Sequence, residues 1–333
     1  MSIDIHAHII PPEFLNALRD GRGRHGIDIA VEDGNVRAAI SGGPDIGVLR
    51  ADLRDIDDRL AAMDASAVDI QILANWIDLN GYVLSEPQGA EYCRLFNESL
   101  AAVVASHSKR FMALANVPLQ APSAAAAELN HAVSELGMVG VQIATTVAGQ
   151  ELDDPDLDPL WEAAEGLRCI VVLHPYNPLP QRGLRRYFLS NALGRPAETT
   201  LAIGHMIFGG VFERFPNLTV CVVHGGGFLP YQIGRMDQAF RAKPELAASH
   251  LTRLPSEWGR HLYYDTVTHN PDVLRFLIDQ VEVTHVMMGT DYPFEMGDGR
   301  PVDTIGSIPG LGDDERRLIL DGNVGRLLAE IQR

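Results

Sequence analysis

The chain has 333 residues, 46% of them apolar and 21% charged, and a formal net charge of −17, which is ordinary for a globular protein able to bury a large core. The acidic balance argues against a nucleic-acid partner, which would meet a basic face. No apolar run approaches the roughly 20 residues that span a bilayer, so no membrane partner is expected.

The N-terminus has no basic region followed by a hydrophobic stretch, so no secretion signal is expected. Its first strand candidate, residues 3–8, ends in His6-Ala7-His8. Residues i and i+2 of a strand share a face, about 6.6 Å apart, close enough to share one metal ion. Residues 11–55 break the pattern with Gly21, Gly23, Gly26, Gly34, Gly42 and Gly43 and a short alternation from Ile27 to Val31. They are read as an inserted loop with a small hairpin over the mouth of the fold.

Further strand candidates follow at 68–74, 111–117, 138–143, 169–174, 218–224, 261–266 and 285–290. Helical patterns lie between them near 85–107, 122–136, 156–167, 196–213, 228–241 and 271–281, with a last one near 313–331. Near-continuous apolar strands alternating with helices predict a parallel sheet, and eight such units predict a (β/α)8 barrel in a single domain. A doubly wound open sheet is the alternative, but no Gly-x-Gly-x-x-Gly follows the first strand. Residues 175–195 form a second long connection, of the kind that often carries function.

Barrel enzymes place their chemistry at the C-terminal ends of the strands. His174 and His224 end the fifth and sixth candidates, and the eighth runs into Asp291. With His6 and His8, three imidazoles and a carboxylate suit Zn2+ or Mn2+, which leaves one histidine as acid or base. Taken singly, a strand-end histidine is more often a hydrogen-bonded surface residue, and Asp291 could be a turn residue before Pro293. Gly225-Gly226-Gly227 lacks the Lys and the spacing of a phosphate loop and is read as a tight turn. His25, His107, His131, His205, His250, His261, His269 and His285 share no pattern. Cys93, Cys169 and Cys221 have no paired spacing, so buried thiols in a reducing cytoplasm are expected.

The chain resembles the amidohydrolase superfamily, in the branch that holds aminocarboxymuconate-semialdehyde decarboxylase and γ-resorcylate decarboxylase. The resemblance runs through Ile3–His8 with Pro11-Pro12, Val117–Gln120, Gly140–Ile143, His174-Pro175, Pro196–Thr199, His224–Gly227 and Gly289–Phe294. It implies that His6, His8, His174 and Asp291 hold one divalent metal, with Zn2+ favoured over Mn2+, and that His224 and Asp291 are catalytic. A mononuclear site is expected, because the fourth strand ends Gln142-Ile143-Ala144 without the lysine other members carry there. Arg235 matches an arginine that reaches the neighbouring subunit's pocket to hold a substrate carboxylate, which implies a homodimer. Tyr187 falls where the family has an aromatic lid residue, and Arg50 or Arg54 stands where a second substrate arginine is expected. The implied activity is non-oxidative decarboxylation of a small aromatic or muconate-type acid. The alternative is hydrolysis or hydration of a small cyclic or unsaturated acid on the same donors. A non-catalytic binding protein is the third reading, and its mark would be loss of one of these five positions.

Overall fold

The computed structural model describes all residues except 22, 44, 177–182 and 332–333. Its strands are β1 (Ile3–Ile9), β2 (Ile27–Glu32), β3 (Asn35–Ile40), β4 (Asp45–Val48), β5 (Ile70–Asn75), β6 (Phe111–Ala115), β7 (Gly140–Ala144), β8 (Ile170–His174), β9 (Thr219–Val222), β10 (Tyr263–Asp265) and β11 (Val286–Met287). β1 and β5 to β11 form one eight-stranded sheet in chain order, and the paired neighbours run parallel. The first and last strands close the barrel. Ile5 donates its amide to the Met288 carbonyl at 2.9 Å, and Asp291 donates to His6 O at 2.8 Å. The chain is thus a (β/α)8 barrel, as its pattern of strands and helices predicts.

Strand alternation divides the core. Ile72, Ala74, Leu114, Ile170, Val172, Cys221, Val223 and Met287 fill the barrel interior with Ile3 and Ile5. The intervening Leu73, Ala113, Val171, Leu173, Val220 and Val222 belong to the cluster packed beneath the helices. β1 departs from strict alternation. Its pairing with β5 slips between Asp4 and Ala7, which is a bulge. Ile3 and Ile5 lie inside, and without the slip Ala7 would follow them. Ala7 instead joins the outer cluster, and His6 and His8 face inward.

Residues 11–55 hold more structure than a loop with a hairpin. Pro12–Gly21 is a helix burying Phe14, Leu15 and Leu18, and β2, β3 and β4 form an antiparallel three-stranded sheet. The many glycines obscure this, because the helix is short and its buried stripe is only three residues wide. A further helix, Ile56–Ala65, follows Asp55, whose side chain accepts the Asp58 amide at 2.9 Å. The helix expected over 196–213 stops at Phe208 and resumes at Val211, because Gly210 takes a left-handed φ of 72°. The 175–195 connection lies partly outside the described residues. Among those described, no helix is long and apolar enough to cross a membrane.

Gly140 marks the tightest strand contact. A Cβ there would lie 1.9 Å from the Ile170 carbonyl oxygen, so backbone rather than a side chain would have to yield. Gly140→Ala is expected to destabilise the fold by about 1–3 kcal/mol, read as a lower denaturation midpoint. An unchanged midpoint would show that the β7–β8 pair can spread at no cost.

Candidate metal centre

Four side chains from distant parts of the chain meet at the C-terminal mouth of the barrel. Ligand atoms of His6, His8, His174 and Asp291 all lie within 4.8 Å of one another, and all four residues are buried. His6 Nε2 is 3.1 Å from His8 Nε2 and 3.3 Å from Asp291 Oδ1, and His8 Nε2 is 3.2 Å from the same oxygen. The edge of a tetrahedron around Zn2+ with 2.0–2.1 Å bonds is about 3.3 Å, so these separations suit one central ion.

Each imidazole is aimed through its other nitrogen. His6 Nδ1 meets Asp265 Oδ2 at 2.7 Å, His8 Nδ1 meets the Asn75 carbonyl at 3.0 Å, and His174 Nδ1 meets the Pro175 carbonyl at 3.0 Å. A hydrogen-bonded Nδ1–H leaves Nε2 as the lone-pair donor, the tautomer a metal needs. The donor set therefore fits a divalent cation.

The charges agree. Burial, reinforced by the neighbouring histidines, lowers His174 well below its ordinary value. Burial lowers His8 as well. Both imidazoles are thus held neutral for ligation. Burial alone would raise the Asp291 carboxyl, but the His6 charge and the neighbouring His224 and His8 imidazoles hold it well below the carboxylate range. Burial would lower His6, but Asp291 and Asp265 outweigh it and hold it above its ordinary value.

His224 stands beside this set. Its Nε2 lies 3.5 Å from Asp291 Oδ2, the carboxylate oxygen turned away from His8. Its ring centroid is 5.2 Å from that of His6. His224 and Asp291 both adopt left-handed backbone, with φ of 55° and 58°. For residues other than glycine this costs about 1 kcal/mol or more, and such strain concentrates at functional sites. A cavity of about 760 Å³ opens onto His224 and Asp291 and is walled by Arg195, Phe228, Val267 and Phe276.

The structure brings five of the expected residues together: His6, His8, His174, His224 and Asp291. Arg50 lies one ring away. It bonds Asp52 at 2.7 Å and the Pro293 carbonyl at 3.2 Å, pairs with Glu295, and sits 5.8 Å from the Phe294 ring. That ring is 5.3 Å from His8. Arg54 points elsewhere, into a hollow between the helix Pro12–Gly21 and the small sheet. Tyr187 is 78% exposed, its ring 4.9 Å from the Arg186 guanidinium, and Arg235 is exposed on the helix Leu229–Ala242. Tyr187, Arg235 and Arg54 are not among the residues lining the cavity.

Three residues of the centre carried no expectation. Asp265, fully buried, receives His6 on one oxygen and the Gly225 amide on the other at 2.8 Å. It therefore holds a putting-in-place contact to a metal-site histidine and to the residue after His224. A carboxylate one residue before the end of the strand candidate 261–266 was its signal. Asp4 accepts from the amides of His6 and Thr290, the Thr290 hydroxyl and Gln71, while burial pushes its carboxyl up to about 6. Arg59 is fully buried, donates to Gln71 and to the His8 carbonyl, and lies 4.7 Å from the Tyr292 ring. No spacing marks it as different from a surface arginine.

A profile of the amidohydrolase family matches residues 3–329. The chain is 35% identical over 324 residues to the 2-amino-3-carboxymuconate-6-semialdehyde decarboxylase of Dictyostelium discoideum, covering 97% of this chain and 90% of that protein. It is 29% identical to the gamma-resorcylate decarboxylase of Rhizobium sp. (strain MTP-10005), covering 73% of this chain and 78% of that protein. Among solved structures, the 5-carboxyvanillate decarboxylase of Sphingomonas paucimobilis superposes with a TM-score of 0.83 at 25% identity, covering 99% of each chain.

Asp265→Asn keeps the shape but removes the charge that orients His6. It is expected to weaken metal affinity about 10- to 100-fold in competition with a chelator. Wild-type affinity in that variant would mean His6 is held by packing alone.

Proposed function

The chain belongs to the amidohydrolase family, and we propose that it is a metal-dependent decarboxylase of a small carboxylic acid of the aromatic or muconate type. The observation that carries this is the convergence of three imidazole nitrogens and one carboxylate oxygen within 4.8 Å, beside a fourth histidine on the wall of a cavity. The relatives' names point the same way, since each describes removal of a carboxyl group from a conjugated or aromatic acid.

His6, His8, His174 and Asp291 hold the ion. Three nitrogens and one oxygen favour Zn2+, with Mn2+ the competing occupant. When bound, the ion supplies Lewis acidity and offsets negative charge on the reacting acid. His224 moves the proton. As the bond between carbon and the carboxylate breaks, CO2 leaves and the electron pair stays on the carbon. His224 Nε2 delivers a proton to that carbon, and Asp291 Oδ2, 3.5 Å away, keeps the ring aimed. His224→Asn is expected to retain metal by elemental analysis and to slow CO2 release by about 10²- to 10⁴-fold. Full activity in that variant would remove His224 from the reaction. Ring opening or hydration without CO2 would favour the hydrolytic alternative, which uses the same donors.

Arg235 and Tyr187 serve the substrate from the rim, and Arg50 does so in preference to Arg54. Arg235 acts across a homodimer interface built on the helices Arg195–Phe208 and Leu229–Ala242. An apolar hollow between these helices, lined by Leu201, Phe208, Phe228 and Met236, supports that surface. Tyr231 nearby is 78% exposed. The chain works as one domain, with residues 11–55 covering the barrel mouth. Its three buried free cysteines suit a cytoplasmic location. Mixing Arg235→Ala with His224→Asn, each inactive alone, is expected to restore CO2 release, because a mixed dimer assembles one complete site. No recovery, with exchange of subunits verified by light scattering, would place Arg235 outside the partner's site.

A further inference from the structure

We propose that Arg195 is a specificity-determining residue that receives a second, retained carboxylate, so that the acid this chain prefers is a dicarboxylate. The fate of the first carboxylate rests on the decarboxylase reading above.

The argument begins with charge. The protein carries a net charge of −17, and its cavity is lined by Asp272 as well as Asp291. An anion entering such a space needs a fixed cation to meet it. Among the described residues, Arg195 is the only arginine or lysine that lines the cavity.

Its placement ties it to the metal centre. Arg195 Nη1 donates to the Pro175 carbonyl at 2.8 Å, and the same carbonyl receives His174 Nδ1 at 3.0 Å. The guanidinium and a metal-site imidazole therefore share one acceptor. A substrate group near the ion and a second group on the same small molecule can both be reached.

The guanidinium also keeps free donors, although its charge acts on the half-buried Asp78 carboxyl and is offset by it in part. Among the described residues Arg195 makes no ion pair, and its hydrogen bond to Pro175 occupies one of five N–H groups. Arg50, by contrast, is paired with both Asp52 and Glu295. Arg195 is half-buried and follows a π-helical turn, Ser190–Gly194, which widens the backbone on the cavity side where Asn191 also stands. An anchored fork with free donors suits a carboxylate held on two parallel hydrogen bonds.

The test is calorimetric binding of isophthalate and of benzoate to the metal-loaded protein, which needs no turnover. Wild-type protein is expected to bind isophthalate roughly 10- to 100-fold more tightly than benzoate. Arg195→Met should abolish that preference, and Arg195→Lys should keep part of it, because an ammonium supplies charge without the fork. Should Arg195→Met fail to fold, Arg195→Gln retains a donor for the Pro175 carbonyl and reads the same effect. Equal or undetectable binding of the two acids by wild type overturns the proposal, as does a preference that survives both neutral variants. A wild type that prefers isophthalate through Arg195 yet releases no CO2 from any acid sinks the decarboxylase reading alone. One that releases CO2 but shows no preference sinks the Arg195 assignment alone.

Discussion

Closure of the barrel between its first strand and the segment after its last is the constraint on which the site depends. The amide of Asp291 bonds the His6 carbonyl, and the amide of His8 bonds the Tyr292 carbonyl, each at 2.8 Å. These bonds join residues from opposite ends of the chain and set the Asp291 carboxylate against both imidazoles. Asp4 reinforces the seam by accepting from the amide and hydroxyl of Thr290. A sheet left open at this edge would hold the same ligand residues with no common centre.

Burial makes the arrangement both costly and useful. Three imidazoles and two carboxylates, Asp265 and Asp291, share a space nearly closed to water. Burial would raise Asp265, but the hydrogen bond and charge of His6 lower it. Each group's state is thus fixed by its neighbours rather than by solvent. In such surroundings, a divalent cation offsets carboxylate charge that burial would otherwise leave poorly compensated. The strained backbone at His224 and Asp291 is of one piece with this, since both residues must turn their side chains back over the mouth.

The barrel was legible because a parallel sheet covered by helices leaves a strong trace. Runs such as Cys169–Leu173 are apolar on both faces, one face for the interior and one for the helices. Residues 11–55 were less legible. A three-residue stripe of Phe14, Leu15 and Leu18 among glycines gives little periodicity, and the three-stranded sheet there has mostly exposed or half-exposed residues. Asp265 and Arg59 were missed for a different reason. Their roles lie in what they touch, 259 positions away in one case, and no local pattern encodes that.

From the sequence alone came the eight strand-and-helix units and the histidines and aspartate at their ends, since hydrophobic period and residue type are local properties. Tertiary structure decided which nitrogen of each imidazole faces the centre, because that depends on partners at Asp265, Asn75 and Pro175. It also decided that a bulge in β1 turns His6 and His8 inward behind Ile5, where simple alternation would have placed Ala7. Likewise it set Arg195 on the cavity wall beside His174 and left Arg54 facing away. Register, tautomer and the direction of a side chain are settled by contacts between distant segments, and those exist only once the barrel has closed.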